Sequence, residues 1–382
     1  MTGGSIVDFY RRYGISPVRQ DISDLPRHFA RREALYRHLG LLPAFVRGKS
    51  VIEVGPGSGF NSLYTASLGP SRYVLVEGNP RGVGDMTALF GQFGSLCQGI
   101  EIVPALIEAY EPDQQFDFVL CEGLLGVAGV PDPTALLVSL ARLVAPGGVF
   151  VITCIDAVSY FAETLRRLLA NLLIDPGEPL AVRTPVCVRA FGPHLATLAG
   201  MTRSAEDWVV DNLINPASIG PLLSIPDAIT ALAETFDVFG ASPRFLTDWR
   251  WYKDIGIDGR FNALALDQYW ANAHHLLDYR RAGPPGDQVQ NAFLYDACLA
   301  VRGEVRALER APDRSGIERI QRGLHHVREL VHHTVPGVGR ALQDVERLIA
   351  DDVDAVRIAS AEDLAPWFGR GQQYISFSRS RA

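Results

Sequence analysis

The sequence predicts an α/β protein built on a doubly wound sheet of parallel strands, and three observations carry that prediction. Five short apolar runs recur between residues 50 and 155: VIEV (51–54), RYVLVE (72–77), IEIVPA (100–105), FDFVLCE (116–122) and GVFVITC (148–154). They are continuous rather than alternating, as strands covered on both faces require. The segments between them carry helical spacing, clearest in TALLVSLARLVA (134–145), so strand and helix alternate. Pro146-Gly147-Gly148 reads as the tight turn from that helix into the fifth strand.

Before the sheet, LPRHFARREALYRHLGLLP (25–43) predicts a helix ending near Gly40 and Pro43. After it, AETLRRLLANLL (162–173) predicts another, followed by a Pro- and Gly-rich tract from 175 to about 226 with weak periodicity. PDAITALAETF (226–236) is again helical, and FDVFGASPRFLTDWRWYK (236–253) opens as a sixth strand. Residues 257 to 350 have the composition of helices, broken at Gly283-Pro284-Pro285, Pro312 and Pro336-Gly337, and GQQYISFSRS (371–380) reads as a last strand. The expected organisation is an N-terminal helical segment (1–48), a sheet domain (49–256) with an irregular acceptor-side tract (175–226), a helical insertion or lid (257–365), and a returning last strand (366–382).

The chain has 382 residues, a hydrophobic fraction of 47% and a formal net charge of -7. That charge argues against a general nucleic-acid binder, which needs a basic surface. Arg302 to Arg347 is Arg-rich, but Glu304, Glu309, Asp313, Glu318 and Glu329 interleave with the arginines, as on solvated helix faces. The five cysteines form no close pair, so neither a disulfide framework nor a zinc pattern is expected. The N-terminus lacks a signal-peptide apolar segment, and the apolar stretch near 135–153 is interrupted by Arg142 and Pro146-Gly147-Gly148. These features predict a protein of the reducing cytoplasm with no membrane partner.

The first strand runs into VIEVGPGSGFNSLY (51–64). A glycine-rich bend between strand and helix brings backbone N–H groups up to a ligand. Its spacing excludes two ligand classes. Counted from Gly55, the sixth position of a dinucleotide fingerprint is Phe60 rather than glycine, and no G-K-[ST] follows for a phosphate loop. Glu53, inside the preceding strand, would repel a pyrophosphate and suits an ammonium group. Glu77 ends the second run, 22 residues after Gly55, where a carboxylate reaches two ribose hydroxyls. Cys121 and Glu122 end the fourth.

Together VIEVGPGSGF, YVLVEGNP, FDFVLCEGLL and LVAPGGVFVITC resemble the class I, Rossmann-like S-adenosylmethionine-dependent methyltransferase superfamily, in the expected order over about 105 residues. The resemblance implies a mostly parallel, seven-stranded sheet whose last strand is antiparallel, with FDVFGASPRF and QQYISFS as strands six and seven. It implies S-adenosylmethionine as cofactor. Gly55, Gly57 and Gly59, with Phe60 and Asn61, would pack on its methionine and ribose portion, Glu53 would lie near the ammonium group, and Glu77 with Gly78 would hold the ribose. Where many relatives carry an adenine-binding aspartate, this chain has Ala105, Leu106 and Ile107, which points to apolar stacking by Leu106 and Ile107, with Glu108 as a polar substitute.

Methyl transfer needs an aligned acceptor and, for a hydroxyl or ammonium group, a base. Glu122 and Asp156 stand at the carboxyl ends of strands four and five. Glu122 serves equally as a cofactor ligand or turn cap, and Asp156 as the N-cap of the next helix. His275, with His274, reaches substrate if the insertion is a lid, whereas His194 reads as a surface-loop histidine and Tyr160 as packing. His325, Glu329 and His332 share one helix face, but no second Glu-x-x-His accompanies them, so no metal site is expected. TDWRWYKD (247–254) reads as anchoring the insertion, or as an aromatic pocket wall. The expected function is methyl transfer to oxygen or nitrogen of a small-molecule, saccharide-like or peptide-like acceptor, with a homodimer left open. The rivals are an aminopropyl-type transferase using a decarboxylated cofactor, and a non-catalytic assembly protein; the intact cofactor needs a cation for its carboxylate, for which Arg31, Arg32 and His28 are the candidates.

Overall fold

The structure is a computed structural model that describes residues 9, 12, 21–125, 130–201, 203–216, 220–255, 261–351 and 353–381. Seven strands form one sheet: β1 (Ser50–Val54), β2 (Arg72–Val76), β3 (Ile100–Val103), β4 (Phe116–Cys121), β5 (Val144–Cys154), β6 (Phe236–Ser242) and β7 (Gln373–Arg379). Their order across the sheet is β3-β2-β1-β4-β5-β7-β6. The first five are parallel, and β7 inserts antiparallel between β5 and β6. This is the expected mostly parallel, seven-stranded Rossmann-like sheet.

The continuous apolar runs are strands for the predicted reason: Ile52, Val74, Val119 and Phe150 are wholly buried within the sheet. One detail departs from the sequence reading. Pro146-Gly147-Gly148 lies inside β5, where the pairing with β4 jumps from Phe116↔Val144 to Phe118↔Val149. Gly147 has φ +75, so the chain turns within the strand after pairing has begun.

The chain divides into two compact units, one comprising 1–155, 220–269 and 373–382, the other 156–219 and 270–372. In the sheet unit, the helix Leu25–His38 starts at Asp24, whose side chain accepts from the Arg27 N–H. Its buried residues are His28, Arg32 and Tyr36, spaced four apart on one face. Two polar side chains on an inward stripe are the informative anomaly, because such groups are buried only with partners. Tyr36 meets the edges of Tyr64 and Phe118 at 5.2 and 6.1 Å between ring centroids. It thereby fixes the helix against the core.

The other unit is helical. The tract 175–226 is expected to be irregular, yet its part in this unit contains the helices Leu180–Leu195 and Ala205–Val209. Pro185 and Pro193 sit inside the first of these, which is why its sequence reads as a breaker region. His194 is wholly buried rather than in a surface loop. Its Nε2–H donates to the Ile358 carbonyl at 2.7 Å, leaving Nδ1 to accept from Arg166 Nε at 3.2 Å. Burial, with the Arg166 charge beside it, holds the imidazole down to about 3, so it is neutral. Arg166 also donates to the carbonyls of Leu364, Ala365 and Trp367 and lies 3.8 Å from the Phe368 ring centre. Between β6 and β7 run the long helices Gln288–Arg310, Arg314–Val331 and Pro336–Ala350. Among the described residues no helix is long and apolar enough to cross a membrane.

Candidate cofactor site

The site is built at the carboxyl edge of β1, β2 and β4. All three loop glycines, Gly55, Gly57 and Gly59, have positive φ, at 73, 59 and 76 degrees, a conformation L side chains rarely adopt. At Gly59 a Cβ would lie 2.8 Å from Met86 Cγ and 3.0 Å from Phe90 Cζ. The loop therefore packs directly on the helix Pro80–Gln92. Gly82 of that helix meets the loop in return, since a Cβ there would come within 3.0 Å of the Gly57 carbonyl.

Glu77 follows β2 and is almost wholly buried. Its Oε2 accepts from the Gly57 N–H at 2.8 Å and its Oε1 from the Asn79 N–H at 2.7 Å. Burial raises its pKa, and these N–H groups act in the opposite direction. The Gly78 N–H bonds the carboxylate as well, so about three of its roughly four acceptor positions are taken by backbone and about one is left for a hydroxyl. Beside it, a Cβ on Gly78 would sit 2.4 Å from Leu106 Cδ2, so Leu106 lies over the glycine while remaining 52% exposed. Ile107, half-buried, opens the short turn Ile107–Ala109. The pair offers an apolar surface next to the ribose-type acceptor.

Glu53 is buried in β1 and accepts from the Tyr73 hydroxyl. Burial pushes its carboxyl up to about 7, the Tyr73 bond opposing and the nearby Glu122 charge adding to the shift. A carboxyl raised above its ordinary value of 4.5 contributes stability that is complete below that value and is lost as pH rises through 7. Replacing Glu53 by Gln should therefore stabilise the ligand-free protein at about pH 8, by on the order of 1–3 kcal/mol, and leave it unchanged near pH 4. Denaturant melts at the two pH values decide it: an equal change at both would place Glu53 in water.

Glu122, just after β4, is the most heavily bonded of the predicted residues. Arg32 Nη1 and Nη2 donate to its two oxygens at 2.8 Å each. Asn61 Nδ2 and the Tyr374 hydroxyl donate to Oε1 at 3.0 and 2.7 Å. β7 begins where the parallel strands end because it runs antiparallel, and that places Tyr374 at this edge. His28 Nε2–H donates to the Phe60 carbonyl at 3.0 Å, which ties the N-terminal helix to the glycine loop, and burial lowers its pKa. Arg32 Nε is buried without a partner, a donor left over beside Glu53 and Glu122.

The remaining predicted residues lie in the helical unit. Asp156 is wholly buried and its Oδ1 accepts from the N–H groups of Val158 and Ser159, the geometry of a turn cap. His275 is half-buried with Nε2–H donating to the Pro284 carbonyl at 3.2 Å. Trp249, in the sheet unit, is 94% exposed, so it anchors nothing. His325 and Glu329 pair at 3.2 Å on an exposed face, and among the described residues no cluster of three or more His, Cys, Asp or Glu could hold a metal. Sequence reasoning missed Tyr374, Tyr73 and the Arg32–Glu122 pair.

Residues 27–182, well under half of the chain, match a family model described as a methyltransferase domain. Together with the sheet topology, this match bears out the resemblance to the class I methyltransferase superfamily. The search of curated proteins finds no match. Among solved structures, the chain is similar to the N-methyltransferase NodS from Bradyrhizobium japonicum WM9 in complex with S-adenosyl-l-homocysteine, at 13% identity and TM-score 0.36, covering 62% of this chain and 89% of that one. An S-adenosylmethionine-dependent methyltransferase from Mesorhizobium loti aligns at 16% identity and TM-score 0.35, over 57% and 86%. The CcbJ methyltransferase from Streptomyces caelestis aligns at 20% and 0.30, over 41% and 58%. At these scores the solved structures say nothing about an acceptor.

Proposed function

From the methyltransferase domain at residues 27–182, we propose that this chain is an S-adenosylmethionine-dependent methyltransferase acting on oxygen or nitrogen of a small-molecule, saccharide-like or peptide-like acceptor. The observation that carries the cofactor is the glycine loop with Glu77 bonded across it at 2.8 Å. When bound, the cofactor supplies a methyl group on a sulfonium, an electrophile that needs no activation beyond alignment. The chain's own residues do the positioning. Glu77 offers its remaining acceptor position to the ribose, Leu106 and Ile107 offer the apolar face for adenine, and Gly55, Gly57 and Gly59 allow the backbone to come close.

Glu53 is the partner for the cofactor's ammonium group, whose charge favours the ionised carboxylate. The buried, unpartnered Nε of Arg32 favours a cofactor that retains its carboxylate, and thus methyl over aminopropyl transfer. Glu122, Asp156 and His275 are the candidates for the proton-accepting base. Of these Glu122 alone shares the sheet unit with the glycine loop, and its Oε1 is already occupied by three donors. The net charge of -7 supports a small acceptor over a nucleic acid.

Calorimetry with S-adenosylmethionine and S-adenosylhomocysteine tests the cofactor, and no binding of either would overturn the proposal. Glu77→Ala should weaken both by about 1.5–3 kcal/mol for each hydroxyl bond lost. Turnover with labelled methyl donor in a fractionated extract identifies the acceptor. Label absent from every fraction would favour the non-catalytic rival.

A further inference from the structure

The helical unit contains a half-open cleft of about 420 Å³, lined by Arg280, Arg281, Gly337, Arg340, Asp363 and Pro366. Its guanidinium groups are arranged rather than loose. Asp278, wholly buried, accepts from Arg280 Nε and Nη2 at 2.9 and 2.7 Å and lies 3.8 Å from Arg281 Nε. The carboxylate beneath the cleft thus orients the Arg280 guanidinium and lies within ion-pair distance of the Arg281 one. Arg340 Nε donates to Asp363 Oδ1 at 2.9 Å, holding a third. The absence of a side chain at Gly337 leaves room for Arg281, whose Nη2 would otherwise stand 3.2 Å from a Cβ. Arg370 is tied in by its donation to the Arg281 carbonyl at 3.1 Å.

Three arginines line this cleft, with Asp363 in its lining and Asp278 beneath it, in a chain whose overall formal charge is -7. Arg340 uses Nε, and among the described residues the carboxylate paired with Arg281 is Asp278 at 3.8 Å. The Nη donors of Arg281 and Arg340 thus make no hydrogen bond to either aspartate, whereas Arg280 spends Nε and Nη2 on Asp278. Guanidinium forks that line one cleft from two chain segments suit an acceptor with several oxygens in three dimensions, and the local surplus of positive charge suits an anion. A tetrahedral phosphoryl group has both properties. A cleft of this volume also has room for a small organic body attached to it.

We propose that the Arg280–Arg281–Arg340 cleft binds a phosphoryl dianion, either free phosphate or the phosphate of a small metabolite-sized ester. The site stands independently of the methyl-transfer reading, since none of its residues belongs to the glycine-loop site. Isothermal titration of the full chain with inorganic phosphate, pyrophosphate and ribose 5-phosphate, each at constant ionic strength, tests it without any methyl donor. Binding is expected, and Arg281→Gln and Arg340→Gln should each weaken it roughly tenfold, their exposed side chains leaving the thermal melt unaltered. A clear preference for the ester identifies a phosphorylated small molecule, and equal affinity identifies free phosphate. The proposal is overturned if none of the three binds, or if both variants bind as the unaltered protein does. S-adenosylhomocysteine titrated into the same variants should bind normally, so failure here and failure of the methyltransferase reading are separate results.

Discussion

Arg32→Ala is expected to cost about 3–5 kcal/mol of folding stability, a lowering of the melting temperature by roughly 2–4 °C per kcal/mol for a chain with domains of this size. The side chains of Arg32 and Glu122 are 7% and 10% exposed and joined by two 2.8 Å bonds. Removing the arginine strands a buried carboxylate, and Asn61 and Tyr374 are neutral donors that cannot replace its charge. The penalty comes from the charge left behind more than from the bond lost, so Arg32→Met combined with Glu122→Leu should recover most of it. S-adenosylhomocysteine affinity should stay low in the double variant, because Arg32 Nε is gone. A single variant that melts within about 1 kcal/mol of the unaltered protein would show the pair to be solvated.

Gly369→Ala should be still more damaging in the helical unit. A Cβ there would stand 2.0 Å from the Ser159 carbonyl oxygen and 3.2 Å from that of Leu276. Both obstacles are backbone, and both are fixed by adjacent bonds: Gly371 N–H donates to Ser159 O and Arg370 N–H to Leu276 O, at 3.1 and 2.9 Å. No rotamer change relieves the overlap, so the segment must detach, and a loss above about 4 kcal/mol is expected. Gly371→Ala supplies the contrast. It has φ +61 but nothing within 4 Å of its Cβ, so only the left-handed strain of about 1–2 kcal/mol applies. Chemical denaturation of the two variants side by side reads the difference, and equal losses would contradict the contact with Ser159.

The legible parts of the molecule were those encoded locally. Each strand announced itself by a run of apolar residues, and Glu77 by its distance from Gly55, because a βαβ unit fixes both within a few tens of residues. The cluster at Glu122 was not legible as a cluster. Arg32 is 90 residues away and Tyr374 is 252 away, and only the antiparallel insertion of β7 brings the second of them to the edge. His194 misled for a similar reason: its partners, Arg166 and Ile358, come from distant helices, whereas Pro193 just before it is a strong local signal for a loop. The cross-strand bond from Tyr73 to Glu53 needed the pairing of β1 with β2 before it could be inferred.

β7, the strand that completes the sheet, is also the last part of it to be synthesised. Until residues 373–379 emerge, β5 and β6 each present an open hydrogen-bonding edge, and Glu122 lacks the hydroxyl that Tyr374 supplies. The helices encoded between β6 and β7 delay that moment by on the order of ten seconds at ordinary translation rates. A nascent chain passes that interval as a half-closed sheet with two sticky margins, the state in which such edges recruit other chains.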